Sequence, residues 1–137
     1  MIKLLRVDHR LLHGQVVYSW CSQIKPNCIL VANDEVVENE IRKAALRLAK
    51  PNETKLVFKS INDSVTAINE GKTDKYDLMI VVNNIEDAVK LAEQCPQVSS
   101  INLGGTKANE LTHAISNMVN VTTEEELLLK KNCGVKE

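Results

Sequence analysis

Apolar and polar positions along this chain fall into two alternating kinds of block. Short runs rich in branched apolar residues stand at 2–7, 28–32, 55–58, 78–82 and 98–103. Each is too short for a helix and is bounded by turn-forming or capping residues, so each predicts a strand. The run at 78–82 shows no alternation, as expected of a central parallel strand covered on both faces. Stretches of helical period lie between the strands. Residues 15–23 open one, with Val16, Val17, Trp20, Cys21 and Ile24 on a single face, and Pro26-Asn27 break it. Asn33 or Asp34 caps the next, which places Val37, Ile41, Ala44, Ala45 and Leu48 on one inward stripe before Pro51 and Asn52. Ser60 caps a short helix with Ile61, Val65 and Ile68 inward, closed by Gly71. Asn84 caps another with Ile85, Ala88, Val89 and Ala92 inward.

The last third is less regular. Residues 115–121 read as a further strand. Thr122 or Thr123 with Glu125 or Glu126 forms a capping box ahead of Leu127, Leu128 and Leu129. Gly134 ends that helix, and Val135 begins a final strand. Repeated β–α units of this length predict a single α/β domain over 1–137, a mainly parallel sheet with helices on both faces.

Composition narrows the function. The 137 residues are 44% hydrophobic, enough for one core and too few for two ordinary domains. The net charge is -1, with no long basic block, and aromatics make up 3%. Nucleic-acid binding and attachment to an anionic membrane are therefore not indicated. Cys21, Cys28, Cys95 and Cys133 form no C-x-x-C pair, so a structural zinc site is not expected. Cys21 and Cys28 sit in apolar patterns, as small buried hydrophobes in a reduced, cytosolic chain. No signal-peptide layout opens the sequence, and no apolar run approaches the ~20 residues that span a bilayer.

A parallel sheet binds its ligands at the carboxyl ends of its strands. The loops there are 8–14, 33–35, 59–60, 83–84 and 104–107. They carry Asn33, Asp34, Ser60, Asn83, Asn84, Thr106 and Lys107, and capping by Asn33 or Asp34, Ser60 and Asn84 accounts for part of this polarity. The first loop exceeds what capping requires: Arg6, Asp8, His9, Arg10 and His13 crowd ahead of Gly14 and the start of a helix. Free amides at such a helix start, here those of Leu12, Gly14 and Gln15, point toward a bound anion. The macrodipole alone supplies only ~0.3–1 kcal/mol, and a charge-assisted hydrogen bond adds roughly 1.5–3 kcal/mol. Holding a phosphoryl group therefore needs Arg10 and Arg6 as well. Cations beside His13 also disfavour the imidazolium form and leave a neutral nucleophile. Asp8 is placed to orient His13 or an arginine, or to serve as a turn residue. Gly104-Gly105 lets the backbone approach a ligand closely or forms a plain tight turn. His113 and Cys133 read as structural. The H-x-x-x-H spacing of His9 and His13, with Asp8, is a weaker zinc reading: Gly14 interrupts a helix there, and the arginines repel a cation.

The segment Arg6-Val7-Asp8-His9-Arg10-Leu11-Leu12-His13-Gly14-Gln15-Val16 closely resembles the N-terminal motif of the IIB proteins of the bacterial sugar phosphotransferase system, mannose–fructose–sorbose family. The likeness continues through 31–35, 42–46 with Pro51, 102–105 and 122–129. It implies that His13 takes a phosphoryl group from a phosphohistidine of a IIA partner. The group then passes to a sugar during uptake through membrane subunits IIC and IID. Arg6, Arg10 and Asp8 correspond to the family's flanking basic and acidic residues. The resemblance implies a cytoplasmic protein docked on permease subunits, with no cofactor and no metal. It leaves the sugar and the oligomeric state, monomer or homo-oligomer, open. His9 stands where many members carry an acidic residue. The chain also stops soon after Gly134, so the family's last antiparallel strand is expected to be short or missing. The runner-up from another class is a non-catalytic phosphate-ligand binding or regulatory module on the same fold.

Overall fold

The branched runs become strands of one sheet, and the central ones bury their side chains on both faces. The computed structural model describes residues 1–14, 20–98 and 101–104, together with the backbone pairing of 113–114, 120–121 and 135–136. The strands are β1 (Ile2–Val7), β2 (Cys28–Ala32), β3 (Lys55–Lys59), β4 (Leu78–Val82) and β5 (Ile101–Leu103). Two two-residue strands, β6 (His113–Ala114) and β7 (Asn120–Val121), pair antiparallel with each other, and β8 (Val135–Lys136) follows. The main sheet has the order β3-β2-β4-β1-β5-β8, and every neighbouring pair is parallel. Every residue of β2 and of β4 is buried. The α/β class with its mainly parallel sheet is thus as the periodicity predicts. Of the strand expected over 115–121, residues 120–121 form β7, which pairs with β6, and 115–119 lie outside the described residues. The predicted helix after Thr122 lies outside the described residues, as do Val16, Val17 and Gly134.

Helices cover both faces. Among the described residues they are the three-residue α1 (Ser22–Ile24), α2 (Glu40–Ala49), α3 (Ile61–Asn69) and α4 (Ile85–Gln94). One apolar cluster joins α3 and α4 to the sheet through Ile61, Ile68, Ile85, Ala88, Val89 and Leu91. A second, on the opposite face, gathers Leu11, Leu12, Cys21, Val36, Leu46 and Met79. Ser60 and Asn84 cap α3 and α4 as predicted, their side chains accepting from the Asp63 and Asp87 amides. Gly71, at φ 79, turns the chain after α3 in the left-handed region that suits glycine. Cys21, Cys28 and Cys95 are free and buried, and burial pushes their thiols up.

The segment after β2 departs from the sequence reading. The Asn33 side chain accepts from the amides of Glu35 and Val36, ahead of a 3-10 turn over Val36–Glu38. Asn39 then caps α2 by accepting from the Arg42 amide. The interruption gives α2 its own rotation about its axis. Leu46, 4% exposed, enters the second core. Lys43 and Arg47 lie over the Phe58 ring, at 5.9 and 5.4 Å from its centroid. The predicted inward stripe therefore faces out: Ile41 is 86% and Leu48 90% exposed, and Ala44 and Ala45 are exposed with them.

Two leucines two residues apart should consequently behave as opposites. Leu46→Ala is expected to cost roughly 2–5 kcal/mol in chemical denaturation. Leu48→Ala, in dilute protein, should stay within about 0.5 kcal/mol of the parent.

Candidate functional site

The loop after β1 is built around one buried carboxylate. β1 lies inside the sheet between β4 and β5, and its end is tied to both neighbours. The Asp8 amide donates to the Val82 carbonyl at 2.9 Å, and the Gly104 amide donates to the Val7 carbonyl at 2.7 Å. The chain then turns sharply. The Leu11 amide donates to the Asp8 carbonyl at 2.8 Å, and the Arg10 amide donates to Asp8 Oδ1 at 3.0 Å. Leu11 completes the turn at φ 59, a left-handed conformation that costs a non-glycine residue about 1–3 kcal/mol. Its fully buried side chain sits in the second core and offsets that cost.

Asp8 is 1% exposed, and three side chains surround its carboxylate. Arg6 Nη2 stands 3.8 Å from Oδ2, Arg10 Nε 3.8 Å from Oδ1, and His13 Nε2 3.4 Å from Oδ2. Burying a carboxylate costs several kcal/mol. Each guanidinium at this separation returns about 4 kcal/mol of gross attraction at an effective dielectric of about 20. Arg6 is the better screened from water and so carries the larger part; the Arg10 side chain is about half exposed.

Arg6 is itself held from several sides. Its Nη1 donates to Asn102 Oδ1 on β5, and its guanidinium lies 4.9 Å from the centroid of the Trp20 ring. Burial lowers its pKa from the ordinary value and Asp8 opposes that, yet a guanidinium stays charged at neutral pH. Gly104 is the floor beneath it. A Cβ there would stand 2.6 Å from Arg6 Nη2 and 2.6 Å from the Val7 carbonyl oxygen. The close approach here is to the protein's own Arg6 and Val7, whereas the sequence reading gave the glycine pair close approach to a ligand. Gly105, Thr106 and Lys107 lie outside the described residues.

The remaining predicted residues fall as follows. His13 is partly exposed at the loop's end, and its neighbour Gly14 is exposed. A Cβ on Gly14 would meet nothing within 4 Å, so there is open room before the helix start. Leu12 is buried by its side chain, and Gln15 lies outside the described residues. His9 points its Nδ1 into the protein, where among the described residues it has no hydrogen-bond partner. No group of three His, Cys, Asp or Glu among the described residues could hold a metal ion, so Asp8, His9 and His13 do not form the zinc set weighed above. Sequence reasoning missed Asn102 and Trp20 as parts of the site. Trp20 was read as core, and its stacking under Arg6 leaves no periodic signal. Asn102 is a lone polar residue inside an apolar strand, and that oddity was the available clue.

In the loops after β2, β3 and β4 the polar residues serve the backbone. Asn33, Ser60 and Asn84 cap, and Asp34 Oδ1 accepts from the Ile61 amide at 2.8 Å. Asp87 in the first turn of α4 is held above the usual carboxylate range, chiefly by burial, with the Asn84 hydrogen bond opposing and the Asp34 and Glu86 charges adding to it.

The fold and the loop together define a parallel-sheet α/β protein that presents a histidine among fixed cations at its ligand-binding end. The chain belongs to the IIB components of the sugar phosphotransferase system: the sorbose subfamily model, "PTS system sorbose subfamily IIB component", matches residues 2–136. A probable phosphotransferase enzyme IIB component of Streptococcus pyogenes is 36% identical over 103 residues, 75% of this chain. The chain spans 63% of the length of that relative. The mannose-specific EIIAB component of Escherichia coli is 30% identical over 132 residues, covering 96% of this chain and 41% of that one. Among solved structures, the IIB domain of the sorbose permease from Klebsiella pneumoniae superposes with a TM-score of 0.87 at 26% identity, covering 98% of this chain and 84% of that one.

Gly104→Ala should push Arg6 off its floor, costing about 1–3 kcal/mol of stability, because the Val7 carbonyl is backbone and cannot rotate away. Tryptophan fluorescence should report the shift at Trp20, and unchanged fluorescence and stability would contradict the packing. Asp87→Asn tests the raised carboxyl. The folded pKa lies above the unfolded one, so the charged form destabilises the fold once pH exceeds the carboxylate range, and the effect vanishes where both states are protonated. The substitution should raise the melting temperature near about pH 7 and leave it unchanged near about pH 3.

Proposed function

We propose that this chain accepts a phosphoryl group on His13 from a phosphohistidine of a IIA protein and passes it to a sugar entering through membrane IIC and IID subunits. One observation carries the choice of atom. Asp8 Oδ2 faces His13 Nε2, so the Nε2 proton is the one held and the lone pair of Nδ1 is left free to attack. In the step, Nδ1 forms a bond to phosphorus while the donor's N–P bond breaks. The donor imidazole keeps that electron pair and takes up a proton from solvent. Phosphoryl transfer passes through a loose transition state, so positioning and charge do most of the work. Arg10 and Arg6 supply the charge; the amides of Leu12, Gly14 and Gln15 complete the cradle. Asp8 orients the imidazole and fixes both arginines.

The donor reading is supported by the Escherichia coli relative, whose printed name joins a IIA and a IIB part. No helix among the described residues is long and apolar enough to cross a membrane, which fits a chain that docks on permease subunits. The sugar is set mainly in those subunits.

With phosphorylated IIA as donor, radiolabel should enter this protein in an acid-labile, base-stable form. His13→Ala should abolish acceptance and His9→Ala should retain it. Asp8→Asn, which keeps the size and loses the charge, should slow acceptance about 10²-fold through misplaced geometry. Label entering His13→Ala but not His9→Ala would overturn the assignment. Failure to take label from any phosphorylated IIA would favour the binding module instead.

A further inference from the structure

Among the described residues, the exposed face of α2 has no partner. Ile41, Ala44, Ala45 and Leu48 recur at helical spacing and all face solvent, opposite the face that Leu46 buries. Single exposed apolar residues need no explanation; a continuous stripe marks a contact surface. We propose that this stripe pairs antiparallel with the same stripe of a second copy of the chain.

The order of the residues selects that occupant. Read from either end, the stripe runs large, small-small, large: Ile41, then Ala44 and Ala45, then Leu48. A two-fold axis between positions 44 and 45 therefore sets Ile41 of each copy against Leu48 of the other, and Ala44 against Ala45. Self-complementary patches of this kind are what a two-fold interface requires. Alanines at the centre let the helix axes approach near the lower end of the usual 8–10 Å separation, while the large side chains close the ends.

Charge fits the same arrangement. At 3.6 residues per turn, Glu40 and Arg47 lie on one flank of the stripe. Antiparallel pairing brings each flank beside its own copy. Glu40 then falls two residues, or about 3 Å along the axis, from the level of the other copy's Arg47. Two opposite-charge pairs result, sharing Glu40 with Lys43 of its own chain, whose Nζ lies 3.2 Å from Glu40 Oε1. The other flank carries Arg42, and the two copies' Arg42 are staggered by five residues, about 7.5 Å. The stripe is a single helix face, below the ~1,200 Å² of a specific stable interface, so the dimer is weak and concentration-dependent.

Sedimentation of the whole chain from about 1 μM to about 1 mM tests this, since a contact of this size dissociates within that range. The average mass should climb toward twice that of the monomer. Leu48→Glu, at an exposed position, should raise the dissociation constant at least about tenfold. Glu40→Arg and Arg47→Glu should each weaken association, and the two together should restore it to within about threefold of the parent. Circular dichroism of each variant checks that α2 persists. A mass that stays monomeric, a dimer indifferent to Leu48→Glu, or a double variant as weak as the singles would each overturn the pairing.

Discussion

The carboxylate of Asp8 is the constraint on which the site depends. It is charged, buried and placed where the sheet ends, so it cannot stand there without cations. Its satisfaction draws Arg6 and Arg10 inward and turns the His13 imidazole edge-on. The same group accepts the Arg10 amide and so closes the loop on itself. One residue thereby fixes three side chains and a turn. On the proposed function, the positive charge that the site offers an anion is arranged before any anion arrives, which is what makes such charge effective in a transition state.

Positioning continues beyond the loop. Arg6 leans on Asn102 and Gly104 from β5, and on Trp20 from the segment leading into α1. Residues about a hundred positions apart thus set one guanidinium. Leu11 adds a different kind of fixation. A backbone held in the left-handed region by a buried side chain cannot relax without emptying the core. The loop is stiff because its anchor is apolar and its face is polar.

Much of this was legible in the sequence. The unalternating run at 78–82 predicted a central strand, and Ser60 and Asn84 predicted their helix starts, because those signals are local. The Arg6–Gly14 cluster was legible as a candidate site because its charge exceeds any capping need. What the sequence could not carry was rotation. The apolar period over 37–48 was real, but Asn39 restarts the helix, and the aromatic ring of Phe58 takes up the stems of Lys43 and Arg47. Packing against a ring one strand away decided which face went inward. Asn102 escaped notice for the same reason: its importance lies in a contact 96 residues distant in the chain.

The sheet's order leaves β3 at one margin, with a row of backbone groups that no described strand takes up. Such a margin invites strand addition and, in crowded protein, fibrous assembly. Lys55 opens that strand and Lys59 closes it. Laid beside a copy of itself in parallel register, β3 would face ammonium with ammonium at both ends. Laid antiparallel about Val57, it would do the same, Lys55 against Lys59. Like charges directly opposite disfavour either ladder. The margin is thus closed to its own kind by two residues that take no part in the chemistry.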